Sequence, residues 1–194
     1  MKHLIVYAHP NPASFSHAVV DTLEATYRAQ GGEVVVRDLY ALGFDPVLKG
    51  SDFVAMKAGN LPADIVAEQD HIRWADAVTV VYPVWWTGLP AILKGYIDRV
   101  FLYGFAYAYG PNGAEGLLKG KKVLCVSSHG HPDDVYEANG MRAAMRQTSD
   151  VGIFAFSGMD VVEHVFFGAV PSVDDATRKG YLDTVKAAVA KHFA

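Results

Sequence analysis

Five short apolar runs recur along this chain, at residues 4–8, 33–37, 77–82, 122–127 and 161–168. Each stops at a polar or Gly/Pro-containing break, and segments of helical character lie between them. Runs of this length with little polar alternation are strands covered on both faces. Strands separated by helices pair in parallel through crossovers, so the pattern predicts an α/β fold built on a five-stranded parallel sheet. This alternation excludes most other architectures before any single residue is considered.

The segments between the runs carry their own start and stop signals. Ser14 can cap a helix over 14–30, with Phe15, Val19, Leu23 and Tyr27 on one face and Gly31-Gly32 as the stop. Asp64 can cap a second helix, over 64–74, and Pro90 opens a third with Leu89, Ile92, Leu93, Tyr96, Ile97, Val100 and Phe101 as its apolar stripe. A loop holding Phe105, Tyr107 and Tyr109 is expected next, then a loop over 130–135 and a helix over 137–149. A last helix starts at Asp174 or Asp175 and runs to Lys191. The stretch 38–63, broken by Gly43, Pro46, Gly50, Gly59 and Pro62, reads as one long connection.

Size and charge narrow the function. A chain of 194 residues suits one domain, here 1–194, and can bury a core without staples. The formal charge of −4 and the scattered lysines and arginines offer no footprint for nucleic acid. No apolar run approaches the roughly 20 residues of a membrane span. The single cysteine, Cys125, lies within an apolar run and reads as an inert buried thiol, which fits a reducing compartment and a cytoplasmic location.

Chemistry-bearing residues gather where apolar runs end, which in open α/β sheets is where ligands bind. The first run ends in His9-Pro10-Asn11-Pro12-Ala13-Ser14-Phe15-Ser16, a hydroxyl-bearing loop that opens a helix and so forms a seat for phosphate. The third ends in Tyr82-Pro83-Val84-Trp85-Trp86-Thr87-Gly88, and adjacent indoles at a strand tip suit a flat aromatic ligand. The fourth ends in Ser127-Ser128-His129-Gly130-His131. Together the tips have the make-up of an apolar pocket with a few placed polar groups. Neither G-x-G-x-x-G nor G-x-x-x-x-G-K-[ST] occurs. No G-x-S-x-G elbow supports a serine nucleophile, and His129 and His131 with Asp133 and Asp134 lack metal-ligand spacing.

The segments A-H-P-N-P-A-S-F-S-H-A, R-D-L-Y-A-L-G-F-D-P, D-I-V-A-E-Q, Y-P-V-W-W-T-G-L-P-A-I-L-K-G-Y-I-D-R-V-F, G-F-A-Y-A-Y and V-L-C-V-S-S-H-G follow one another over most of the chain. In this the chain resembles the NAD(P)H:quinone oxidoreductases of the DT-diaphorase type. The resemblance implies a flavodoxin-like three-layer sandwich of strand order 2-1-3-4-5, a flavin cofactor and a homodimer. It implies that His9, Ser14, Phe15, Ser16 and Ala18 hold the phosphate side of the cofactor. Pro83, Val84, Trp85, Trp86 and Thr87 would line the isoalloxazine ring, and Ser127, Ser128, His129 and Gly130 would bond its polar edge. Tyr136 corresponds to an active-site tyrosine, and Arg178 to an arginine that meets the nucleotide part of FAD. Two positions depart from the family pattern: its Gly-Gly in the third loop is His129-Gly130 here, and its catalytic histidine is Arg142. The 45–64 region is shorter than in the family, which leaves FMN open beside FAD.

The implied chemistry is two-electron, ping-pong transfer of hydride from NAD(P)H through flavin N5 to a quinone or similar small acceptor. Tyr136, Arg142 and His129 are the candidate catalytic residues, with Arg142 or His129 supplying positive charge. An arginine keeps its charge, whereas a histidine exchanges protons near neutrality. The same pocket would serve an azo- or nitro-reductase. A flavodoxin-type electron carrier, the flavin subunit of an ion-efflux system and a non-flavin binding module are the readings from other classes.

Overall fold

The sheet carries the five expected strands in the expected order. In the computed structural model, which describes residues 1–193, β1 (Lys2–Tyr7) lies between β2 (Glu33–Asp38) and β3 (Ala77–Pro83). β6 (Lys122–Ser128) and β7 (Asp160–Phe167) extend the sheet beyond β3, and all four pairings are parallel. The chain order reverses at β1, so the loops after β1 and β3 diverge and leave a crevice at their carboxyl ends.

Alternation along the strands sends side chains to two separate cores. Leu4, Val6, Val78, Val80, Val123 and Cys125 face one layer, with α3 (Ala63–Trp74) and α4 (Ala91–Val100). Ile5, Tyr7, Val81, Leu124, Val126 and Val165 face the other, with α1 (Phe15–Ala29) and α7 (Asp175–Phe193). Apolar side chains on both faces explain why the runs show so little polar alternation. Cys125 is fully buried, as expected, and burial pushes its thiol well above the ordinary range.

Several local expectations need correction. The 38–63 connection contains α2 (Gly50–Lys57), whose exposed Phe53 and Val54 leave no apolar stripe to read. It is held by ions instead: buried Arg99 on α4 donates to buried Asp52 at 3.2 Å, to half-exposed Asp64 at 2.6 Å and to the Asp45 carbonyl at 2.8 Å. Asp64 is therefore no cap; Pro62 occupies the cap position, with no side-chain bond. The expected aromatic loop includes an antiparallel hairpin, β4 (Tyr107–Gly110) with β5 (Gly113–Gly116). The expected 137–149 helix starts earlier, as α5 (Asp133–Ala138), and breaks at Gly140, whose φ is 77°. It resumes as α6 (Met141–Arg146) and continues in a π-helical segment, Gln147–Ala155.

Candidate functional site

Three strand-tip loops meet in one cleft of about 220 Å³. It is lined by His9, Ser14, Phe15 and Ser16 from the first loop, Pro83, Val84 and Trp85 from the second, and Ser128, His129 and Gly130 from the third. Val170 and Pro171, beyond β7, close it. Backbone bonds lock the loops together: Val84 N–H donates to Ser128 O at 2.7 Å, and His129 N–H to Phe167 O at 2.9 Å.

At the first loop, Ser14 accepts from His17 N–H at 3.2 Å and lies 3.2 Å from the Tyr7 hydroxyl. The Phe15 and Ser16 N–H groups start α1 without intrahelical acceptors, so they face the cleft as anion donors. His9 Nδ1 accepts from Asn11 N–H at 3.0 Å, which leaves a neutral ring its Nε2–H as a donor. Burial lowers the His9 pKa and keeps the ring neutral. Its ring lies 6.0 Å from that of Trp85. Ala18 sits one turn into α1, outside the cleft lining, and donates its N–H to Ser14 O at 3.2 Å.

The tryptophan loop is a two-residue reversal. Trp85 and Gly88 exchange both backbone bonds, at 3.2 and 3.1 Å, around Trp86 and Thr87. Both central residues take left-handed φ, 50° and 59°. That geometry favours Asn or Gly, so the turn is strained. Trp85 lines the cleft, whereas Trp86 is 100% exposed. Thr87 lines a separate apolar pocket of about 370 Å³ with Tyr82, Val84, Met145 and Ser149.

The third loop gathers charge. His129 is buried and stacks on Tyr136 with centroids 4.5 Å apart. Its Nε2 lies 3.1 Å from Asp133 Oδ1, and Arg142 Nη2 lies 2.7 Å from the same oxygen. Neither contact has hydrogen-bond angles, so both His129 nitrogens are buried without a hydrogen-bonding partner. Burial depresses the His129 pKa, and Asp133 opposes the shift. Ser127 turns inward and bonds His164 at 2.9 Å. Arg178 holds Val170 O at 2.8 Å and Asp175, so it braces the closing segment without lining the cleft.

Val170, Pro171 and His164 were not singled out in the sequence. They lie outside the three motif loops, and only the parallel pairing of β7 with β6 brings them near.

A phosphate fits the free N–H groups of α1, a flat ring fits the wall at Trp85, and a ring edge with hydrogen-bonding groups fits the unpartnered nitrogens of His129. The donor set therefore suits a flavin mononucleotide unit.

A family model described as flavodoxin-like fold matches residues 1–189. An uncharacterized NAD(P)H oxidoreductase of Haemophilus influenzae is 39% identical over 184 residues, covering 94% of this chain and 91% of its own. NAD(P)H dehydrogenase [quinone] 1 of Rattus norvegicus is 34% identical over 180 residues, 82% of this chain and 66% of the rat protein. The NAD(P)H:quinone oxidoreductase structure from Methanothermobacter marburgensis superposes with a TM-score of 0.89 at 29% identity, covering 100% of this chain and 98% of that one.

Proposed function

Because this chain belongs to the NAD(P)H:quinone oxidoreductase family of the flavodoxin-like fold, we propose that its three-loop cleft holds a flavin and catalyses NAD(P)H-dependent reduction of a quinone. The observation that carries this reading is the convergence on one cleft of free helix N–H groups, an indole wall and a histidine with unpartnered nitrogens. A flavin held there would supply two-electron transfer between NAD(P)H and the acceptor.

The chain's own groups bind and orient. The Ser14–Ser16 helix start takes the phosphate, and Pro83, Val84 and Trp85 pack the ring. Ser128, His129 and Gly130 address its polar edge. Tyr136 and Arg142 flank His129, with Asp133 against both His129 and Arg142, so negative charge arriving at that edge meets the fixed charge of Arg142. FAD is the proposed form, with the nucleotide part running towards Arg178; FMN is the alternative.

The proposed assembly is a homodimer in the cytoplasm. Trp86, Tyr103 and Tyr109 are exposed, and an apolar groove of about 410 Å³ runs past Phe53, Met56, Phe101 and Phe156. Exposed apolar surface of this kind marks an interface. Light scattering of the purified protein checks it. Among the described residues, no helix is long and apolar enough to cross a membrane.

The deciding experiment is the absorbance spectrum of the purified protein with the released flavin identified, followed by anaerobic titration with NADH and NADPH. A bound flavin bleached by either nucleotide and restored by a quinone, with parallel double-reciprocal lines, is expected. Colourless protein that takes up neither FMN nor FAD would end the reading.

A further inference from the structure

Behind the cleft runs a buried hydrogen-bonded chain that the functional reading does not use. Ser127 Oγ lies 2.9 Å from His164 Nε2, and His164 Nδ1 lies 2.7 Å from Asp150 Oδ1. Ser149 Oγ lies 2.7 Å from the same carboxylate oxygen, and the Tyr82 hydroxyl lies 3.5 Å from His164 Nε2. Ser127, Ser149, Asp150 and His164 are all buried.

The groups around His164 come from every element packed on it. Tyr82 comes from β3, Cys125 and Ser127 from β6, and Ser149 and Asp150 from the π-helical segment. Arg146 on α6 donates to His164 O at 3.0 Å, with Nη1 3.9 Å from Asp150 Oδ2. Arg142 and Arg146 both lie over Phe166, which stacks on the His164 ring at 3.8 Å.

The bond directions follow from chemistry. Asp150 accepts, so Nδ1 carries a hydrogen. In the neutral ring Nε2 is then a bare acceptor, and the Ser127 hydroxyl must donate to it. With both nitrogens engaged, and the thiol of Cys125 held protonated by burial, the cluster suits holding a proton better than holding a metal.

We propose that His164 takes up a proton when the cleft gains negative charge, with Asp150 steadying the imidazolium and Ser127 carrying the change to the 127–130 loop. The proposal rests on the flavin reading above. Hydride delivery moves one hydrogen and two electrons from NAD(P)H into the cleft, and NAD(P)⁺ leaves. One negative charge stays behind. The balancing proton comes from water and forms an N–H bond at His164 Nε2. Ser127 then accepts instead of donating, and its own hydrogen is free to turn towards the strand tip. When hydride passes to a quinone, the resulting anion needs one proton, and His164 gives up the one it stored.

Distance and access both permit this. His164 pairs with Cys125 and Phe167 with Ser128, so His164 lies three residues back from the tip, about 10 Å along the strand. At an effective dielectric of about 20, a unit charge at that distance raises a pKa by about one unit. Burial lowers the His164 pKa against the pull of Asp150, so the ring starts neutral. Tyr82 and Ser149 also line the 370 Å³ pocket, which gives the proton a route from solvent. His164 is a positioning residue here, acting through Ser127 and through its charge.

The test is the flavin midpoint potential of the holoprotein against pH, with ¹⁵N NMR of the His164 ring in the oxidised and dithionite-reduced states. One extra proton per two electrons steepens the slope by about 30 mV per pH unit. The wild type should show this extra slope, His164→Gln and Asp150→Asn should lose it, and the wild-type ring should become imidazolium on reduction. The ring measurement needs no variant, so it stands even where a substitution fails to fold. Equal slopes in wild type and variants, or a ring unchanged on reduction, would overturn the proposal and leave the flavin reading intact. Protein that binds no flavin would sink both.

Discussion

At Trp86 and Thr87 the backbone takes left-handed φ angles that a β-branched residue tolerates poorly. The turn holds because Trp85 and Gly88 bond each other on both sides, and because the Thr87 hydroxyl donates to Trp86 O at 2.7 Å. Thr87→Gly should relieve this strain and raise stability by about 1 kcal/mol, seen as a higher melting temperature. Arg142 approaches two acidic partners, Asp133 at 2.7 Å and Glu137 at 3.3 Å. Arg142→Ala removes a fixed positive charge beside His129. Stopped-flow should show flavin reduction slowed by about tenfold to a hundredfold. An unchanged half-reaction rate would remove Arg142 from the mechanism.

At the scale of elements, the start of α1 has two duties. Ser14 caps the helix, and the same turn aims free N–H groups at the cleft. Ser14→Ala should cost about 1 kcal/mol in denaturant unfolding and weaken flavin retention as well. The helix α2 depends on ions rather than apolar contacts. Asp52 and Arg99 are both buried, and Asp52 also accepts from Lys49 N–H at 3.1 Å. Asp52→Ala leaves Arg99 with one carboxylate fewer in the interior and should cost roughly 3 kcal/mol, measured by urea denaturation. These elements mark where sequence reading stops. α1 and α4 announce themselves through apolar stripes at helical spacing. α2 has none, because its partner is a single arginine 47 positions away. The β4–β5 hairpin escaped notice because its four-residue strands form a small sheet of their own, apart from the five-stranded one. The break at Gly140 and the π-helical turn escaped because 137–149 shows acceptable helical spacing.

For the molecule as a whole, His3 is one group that ties stability to pH. Its ring is buried, stacks on Tyr27 at 3.8 Å and meets Phe193 edge-on at 5.5 Å. Burial, aided by the nearby N-terminal charge, lowers its pKa to about 4 from an ordinary 6.5. Between those values the unfolded chain binds the proton and the folded chain does not. The contribution of His3 is therefore complete above pH 6.5, falls by roughly 3 kcal/mol as pH drops to about 4, and levels off below, while His129 and His164, also lowered by burial, add to the decline. Urea midpoints across this range should show the decline, and His3→Gln should make it shallower. The same packing explains what could be known beforehand. Apolar runs buried on both faces of a sheet are a local property of the chain, so strand number, parallel pairing and the place of the cleft follow from sequence alone. Burial of a polar group depends on partners that arrive from elsewhere. Only the tertiary structure turned Ser127 inward to His164, set Asp133 between His129 and Arg142, and left Trp86 in solvent while Trp85 lines the cleft. Ser127 is turned by a partner 37 positions away, Asp133 sits in a helical segment broken at Gly140, and the two tryptophans are parted by one strained turn; none of these has a period that a sequence can display.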